Sequence, residues 1–283
     1  MFKGSLVALV TPWKNNSLDE VSFVNLVKWH NESGTTALIV CGSTGEGIIL
    51  TENERELVIK LALENAKIPV IAACGSPSTQ EVINQAQHAE KLESHALLVV
   101  APPYARTTQE GLYQHFKAVH DATNIPIILY NNPGRTVTEI TVPTAMRLFD
   151  LERIIGIKDS TNDLSRAAQM RMLQKKNLCL LSGDDPYLAG YLAQGGDGVI
   201  SVTANAKPKE MADLLKAWEN KNIELFHQLN VQLMKLHCAL GSCEPNPIPI
   251  KAAMEILGKC TKEVRLPLVE ASAETVTKLK AAL

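Results

Sequence analysis

Eight short apolar runs, each followed by a longer polar or amphipathic stretch, constrain this chain more than any other feature of it. They are Leu6–Val10, Ala37–Cys41, Pro69–Ala73, Ala96–Val100, Pro126–Tyr130, Ile154–Lys158, Leu178–Ser182 and Gly198–Val202. The runs are continuous rather than alternating, as strands covered on both faces must be, and helical crossovers between parallel strands supply that cover. Segments with helical periodicity lie between them, among them Val21–Val27, Glu52–Ala66, Thr79–Leu92, Glu110–Val119, Leu164–Leu173 and Pro208–Trp218. Thr51-Glu52-Asn53-Glu54 reads as a capping box, Ser78-Thr79-Gln80-Glu81 resembles another, and Pro208 suits a first helical turn. Eight such units over about 220 residues predict an α/β fold, a (β/α)8 TIM barrel, rather than an open sheet.

After Trp218 the strand signal stops, and residues 224–240, 249–257 and 273–283 read as helices. The expected organisation is a catalytic barrel over 1–223 and a C-terminal helical extension over 224–283. Between the first two of these helices, Glu244-Pro245-Asn246-Pro247-Ile248-Pro249 is too rich in proline to continue a helix and reads as a rigid extended linker with a structural role.

A net charge of -2 offers no general attraction to nucleic acid or to an anionic membrane, which leaves small-molecule chemistry as the default. The six cysteines form no CxxC pair and fit the reduced thiols of a cytoplasmic protein, with Cys41 and Cys74 as small core residues. The apolar amino terminus is too short for a secretory signal, and no segment approaches a membrane span. The seven histidines show no HExxH or other paired-ligand spacing, so a catalytic metal is not expected.

Barrel enzymes carry their chemistry at the carboxy ends of the strands. Lys158 closes the sixth run, where loss of hydration favours the neutral amine that can add to a ketone. The alternative is an ion pair with Asp159 or a more distant carboxylate, and the barrel position favours the nucleophile. Tyr130 closes the fifth run, either as a proton carrier beside an imine or as an amphipathic residue at the rim. Gly42-Ser43-Thr44-Gly45 comes directly after the second run and is either a plain turn or a nest of amides for a carboxylate. Arg135, in Asn131-Asn132-Pro133-Gly134-Arg135-Thr136, is placed for a bidentate carboxylate contact or for a surface salt bridge. Gly195-Gly196-Asp197-Gly198 precedes the eighth strand and is read as a turn. Asp184 and Asp185 read as a loop or helix amino terminus before a general-base or metal pair.

With Gly-Ser-Thr-Gly-Glu at 42–46, Tyr-Asn-Asn-Pro-Gly-Arg-Thr at 130–136 and Gly-Ile-Lys-Asp-Ser at 156–160, the chain resembles the dihydrodipicolinate synthase family. The likeness runs from Gly4 through Gly198–Asn205 to Glu244–Pro249, nearly the whole length. It implies a lyase of diaminopimelate and lysine biosynthesis that needs no cofactor. In that reading Lys158 forms an imine with pyruvate, and the derived enamine attacks L-aspartate 4-semialdehyde. The resemblance assigns Tyr130, Ser43 and Tyr104 to a hydroxyl relay, Tyr104 reaching a neighbouring subunit's site, so that a homodimer or homotetramer is expected. It gives the amides of Ser43 and Thr44 to the pyruvate carboxylate, Arg135 to the second substrate's carboxylate, and Ile200 to the pocket wall.

Two departures stand out. The family commonly has threonine at Ser43, so the hydroxyl is kept and the methyl anchor lost. Feedback-sensitive members bind lysine through a tyrosine, histidine, asparagine and glutamate; here Pro103 holds the tyrosine position, Glu52 and Arg55 the histidine positions, Pro77 falls near the asparagine, and only Glu81 remains. Weak or absent lysine inhibition is the expectation. Among rivals, an N-acetylneuraminate lyase or keto-deoxy sugar acid aldolase would share Lys158 and Tyr130, but Arg135 suits a short acidic aldehyde better than a polyhydroxylated sugar. Fold alone leaves open a catalytically silent barrel.

Overall fold

The computed structural model describes residues Met1–Leu283. Eight parallel strands form a closed barrel: β1 (Gly4–Ala8), β2 (Ala37–Val40), β3 (Val70–Cys74), β4 (Ala96–Val100), β5 (Ile127–Asn131), β6 (Ile154–Asp159), β7 (Cys179–Ser182) and β8 (Gly198–Ser201). Each is followed by a helix: α1 (Glu20–Glu32), α2 (Glu52–Asn65), α3 (Thr79–Lys91), α4 (Gln109–Ala122), α5 (Val142–Phe149), α6 (Ser165–Leu173), α7 (Leu188–Ala193) and α8 (Pro208–Glu219). Three more helices end the chain: α9 (Ile223–Leu240), α10 (Ile248–Ile256) and α11 (Ala273–Ala282). The predicted (β/α)8 barrel with C-terminal helices is therefore the fold. No helix is long and apolar enough to cross a membrane.

The strand runs are placed to within a residue or two, and the two offsets at prolines have a cause. Pro69 and Pro126 stand just outside β3 and β5 because proline has no N–H to give a ladder. Their carbonyls still serve, accepting from Leu38 N at 2.9 Å and from Leu97 N at 2.8 Å. The Thr51–Glu54 capping box closes in both directions, whereas Ser78 makes only the half in which its hydroxyl accepts from the Glu81 amide. Pro249 lies inside the first turn of α10, where its missing N–H costs no intrahelical bond, and Asn246 and Pro247 form a turn closed by Ile248 N donating to Pro245 O at 3.1 Å, so the segment is a tight turn rather than the extended linker its prolines suggested.

The chain packs as two compact units, Met1–Lys3 with Val70–Ile200, and Gly4–Pro69 with Ser201–Leu283. In the first, the pairing of β5 with β6 contains an irregularity that matters for the site. Ile127 opposes Ile154, but Ile128 opposes Gly156, so β6 carries one extra residue. Without it Tyr130 would face Ile157; with it Tyr130 faces Lys158. Because side chains alternate along a strand, this one-residue shift decides what the tyrosine meets. Gly156 is the residue that tolerates it, since a Cβ there would lie 2.1 Å from the Cys179 carbonyl oxygen.

In the second unit β1 pairs with β2 from Leu6–Ala37 to Ala8–Ile39. Asn205, just beyond β8, ties down the end of β1: its Oδ1 accepts from Val10 N at 3.0 Å and its Nδ2 donates to Ala8 O at 2.8 Å. A small antiparallel hairpin pairs Trp13–Lys14 with Ser17–Leu18 through Asn15 and Asn16, both left-handed. Two consecutive left-handed residues are what a tight two-residue hairpin turn requires, and asparagine accepts that conformation better than most.

Candidate active site

In a parallel barrel the strand carboxy ends share one rim, and Lys158 and Tyr130 lie at the ends of β6 and β5. Lys158 is 6% exposed, and its Nζ stands 4.2 Å from the centroid of the Tyr130 ring. Asp159 is not its partner. Strand alternation sends that carboxylate to the other face, where Arg166 Nε donates to it at 2.9 Å and the Thr161 hydroxyl at 2.6 Å. The β6 strand thus keeps its amine and its carboxylate apart.

The Tyr130 hydroxyl accepts from Asn132 Nδ2 at 2.8 Å. Burial works to raise this phenol, but the positive charges of Lys158 and Arg135, the hydrogen bond from Asn132 and the nearby Ser160 hydroxyl outweigh it and hold it below its ordinary value. Arg135 sits in the short helix Pro133–Thr136, exposed yet close enough for its charge to act on that hydroxyl. A buried amine under a phenol that gives up its proton more readily than usual is an arrangement able to form and dehydrate a carbinolamine.

Three residues around the lysine gain a role only from the structure. Gly183 comes directly after β7, and a Cβ there would lie 1.8 Å from Ser160 Oγ and 3.0 Å from Lys158 Cε, so only glycine lets both side chains in. Ser160 Oγ is shut off from solvent and stands close to both the Tyr130 phenol and the Asp184 carboxyl. The signal for Ser160 was its position two residues after Lys158, which returns a side chain to the same face. Burial pushes the Asp184 carboxyl up; the Lys158 charge and the Ser160 hydroxyl oppose this without cancelling it, and Asp185 and Asp159 add to it. Asp184 does precede a short 3-10 turn, Asp185–Tyr187, as the sequence suggested, while also lining a small, partly open cleft with Asp159, Ser182 and Tyr191.

Ile200 is fully buried in β8. Tyr104 is 90% exposed, with a left-handed backbone at φ 65°.

The loop after β2 is built by its glycines and by two left-handed residues, Cys41 at φ 57° and Glu46 at φ 56°. A Cβ at Gly47 would lie 1.8 Å from the Cys41 carbonyl oxygen. Inside the loop, Glu46 N donates to Ser43 O at 3.2 Å and Gly47 N to Gly42 O at 2.9 Å, whereas the amides of Ser43 and Thr44 are given to no carbonyl. That leaves two adjacent donors for an acceptor from outside. Thr44 is buried, and its Oγ1 accepts from Asn246 Nδ2 at 2.9 Å. Glu46 anchors the far end of the loop. Its carboxylate accepts from Trp13 Nε1 at 2.9 Å and from the Arg265 amide at 3.0 Å, and Lys251 Nζ lies 3.5 Å away. No three His, Cys, Asp or Glu side chains converge in a way that could hold a metal ion.

All 283 residues match the model of the dihydrodipicolinate synthetase family. The chain belongs to that family. It is 45% identical over 284 residues to the 4-hydroxy-tetrahydrodipicolinate synthase of Bradyrhizobium diazoefficiens, covering 100% of this chain and 96% of the relative. Among solved structures, dihydrodipicolinate synthase from Thermotoga maritima superposes with a TM-score of 0.97 at 41% identity, covering 100% of this chain and 97% of that one. The chloride-inhibited enzyme from Acinetobacter baumannii, solved in complex with pyruvate, does so at 0.96 and 39%, covering 100% and 98%. Membership in this family makes the activity of the chain that of a 4-hydroxy-tetrahydrodipicolinate synthase, a lyase of lysine biosynthesis.

Proposed function

We propose that Lys158 is the Schiff-base lysine of this synthase, with pyruvate as first substrate and L-aspartate 4-semialdehyde as second. The observation that carries the proposal is the buried Lys158 amine 4.2 Å from the Tyr130 ring centre, the two residues facing each other across β5 and β6. The amine adds to the pyruvate ketone, the carbinolamine loses water, and the imine gives up a methyl proton to become an enamine. The enamine carbon attacks the aldehyde. The amino group of the second substrate then displaces Lys158 as the ring closes, which returns the free lysine.

Tyr130 carries protons to and from these steps, with Ser43 and, from a neighbouring subunit, Tyr104 completing a hydroxyl relay. The high exposure of Tyr104 within one chain is what a residue serving a neighbour requires. The uncommitted amides of Ser43 and Thr44 hold the pyruvate carboxylate, Arg135 holds that of the second substrate, and Ile200 closes the pocket beside the imine. Lysine serves as its own electron sink, so no cofactor takes part. The working molecule is a cytoplasmic homodimer or homotetramer, with residues 1–223 as its catalytic barrel.

Borohydride reduction in the presence of pyruvate tests the reading. One reduced pyruvyl group per chain, mapped to Lys158 by peptide mass, is expected, and an unmodified Lys158 with adducts elsewhere or none would overturn it. Turnover of aspartate semialdehyde should also exceed any cleavage of sialic acid.

Feedback by lysine is expected to be weak or absent. Of the side chains that would hold the ligand, Pro103 offers no hydroxyl, Arg55 is buried and cationic, and Glu81 is the one group suited to an amine. Half-inhibition at sub-millimolar lysine in a coupled assay would contradict this.

A further inference from the structure

We propose that Asn246 is a positioning residue for the keto-acid carboxylate: its amide orients the Thr44 hydroxyl so that the hydroxyl proton points to the substrate. The inference rests on the reading that the Thr44 loop receives the pyruvate carboxylate.

The hydrogen bonds available to Thr44 lead to this role. Asn246 Nδ2 donates to Thr44 Oγ1 at 2.9 Å, so this hydroxyl acts as an acceptor. A hydroxyl has a single proton to give, and Thr44 is only 3% exposed, which denies that proton to bulk water. Leaving a buried donor unmade is costly. The hydroxyl therefore adds a third donor to the two uncommitted amides of Ser43 and Thr44, and three donors at one loop suit a carboxylate.

Asn246 is itself held firmly. Pro245 and Pro247 flank it and restrict its backbone. The carbonyl of Pro245 accepts from Ile248 N at 3.1 Å and that of Pro247 from Lys251 N at 3.0 Å, which joins Asn246 to the start of α10. The α10 helix is pinned in turn, because Lys251 Nζ donates to Thr11 O at 2.6 Å and lies beside Glu46. The C-terminal segment thus grips the loop at Thr44 and again at Glu46. An alanine at 246 would free the Thr44 hydroxyl to turn. An aspartate would do more, since it can only accept: it would draw the Thr44 proton to itself and place a negative charge near the substrate carboxylate.

The test is steady-state kinetics on the full-length enzyme, with thermal melts alongside. Asn246→Ala is expected to raise KM for pyruvate about 10-fold with kcat within about threefold, and Asn246→Asp to raise it further, beyond about 50-fold. KM for aspartate semialdehyde should stay within about twofold in both. Thr44→Val should raise the pyruvate KM by itself, and adding Asn246→Ala to it should change little more, because both remove one interaction. A normal pyruvate KM in Thr44→Val would refute the reading of the loop. A raised one in Thr44→Val beside a pyruvate KM within twofold in Asn246→Ala would refute the role of Asn246 alone. Equal effects of alanine and aspartate, or parallel rises for both substrates, would mark Asn246 as a packing residue and overturn the inference. Asn246→Ser replaces the alanine variant if that one unfolds.

Discussion

Lys158→Arg is expected to lower synthase turnover by about four orders of magnitude or more while the protein stays folded. Arginine keeps the positive charge and can still stack on the Tyr130 ring, so a purely electrostatic or structural lysine would be replaced tolerably well. A guanidinium is not deprotonated in proteins and cannot add to a ketone, so a covalent role is lost completely. Lys158→Met separates the remaining possibility that the longer arginine fails by crowding, because Lys158 Cε already lies within 3.0 Å of the space a Cβ at Gly183 would occupy. Both variants should be inactive in a coupled assay and take up no pyruvyl group on borohydride reduction. Retention of more than about 1% of turnover by Lys158→Arg would mean that imine formation at this residue is not the route.

The barrel and its central lysine were legible in the sequence for the same reason. Buried parallel strands leave uninterrupted apolar runs, and a charged residue at the end of one stands out against that background. Tyr130, Arg135 and the Gly42–Gly45 loop are found by looking at the residues just beyond each run, which uses local information only. The sequence could not say which of these residues meet. Tyr130 opposes Lys158 through an extra residue in β6 near Ile155, and a register shift of that kind has no local signature beyond Gly156. Ser160 and Gly183 acquire meaning only from their mutual distance across neighbouring strands. The contact of Asn246 with Thr44 spans 202 residues of sequence, and that of Lys251 with Glu46 spans 205. Taken locally, Asn246 sits in a proline-rich linker and Lys251 looks like one polar residue of a surface helix. Tertiary packing, which no periodicity encodes, makes the C-terminal segment a support for a loop near the start of the chain.

That support gives the second large effect. Lys251→Met is expected to be neutral in volume, and Glu46→Gln neutral in shape, yet each should destabilise the protein by about 3–5 kcal/mol. Glu46 and Lys251 side chains are both fully shielded from solvent. Burial drives the Lys251 ammonium below its ordinary range, opposed by the attraction of Glu46 and of other nearby groups. Removing either charge strands the other in a medium that solvates it poorly, and that penalty, rather than the modest net worth of the pair, sets the size of the loss. At roughly 2–4 °C per kcal/mol for a protein of this size, the melting temperature should fall by about 10 °C. The double variant Glu46→Gln with Lys251→Met leaves no stranded charge and should recover much of the deficit, since the carbonyl of the introduced glutamine can still accept from Trp13 Nε1 and the Arg265 amide. Urea unfolding of the four proteins measures the coupling directly. Additive single losses would show that the two groups act independently; recovery in the double variant would show that the pair is held as a unit, and that the left-handed backbone of Glu46 owes its stability to neutral donors as much as to charge.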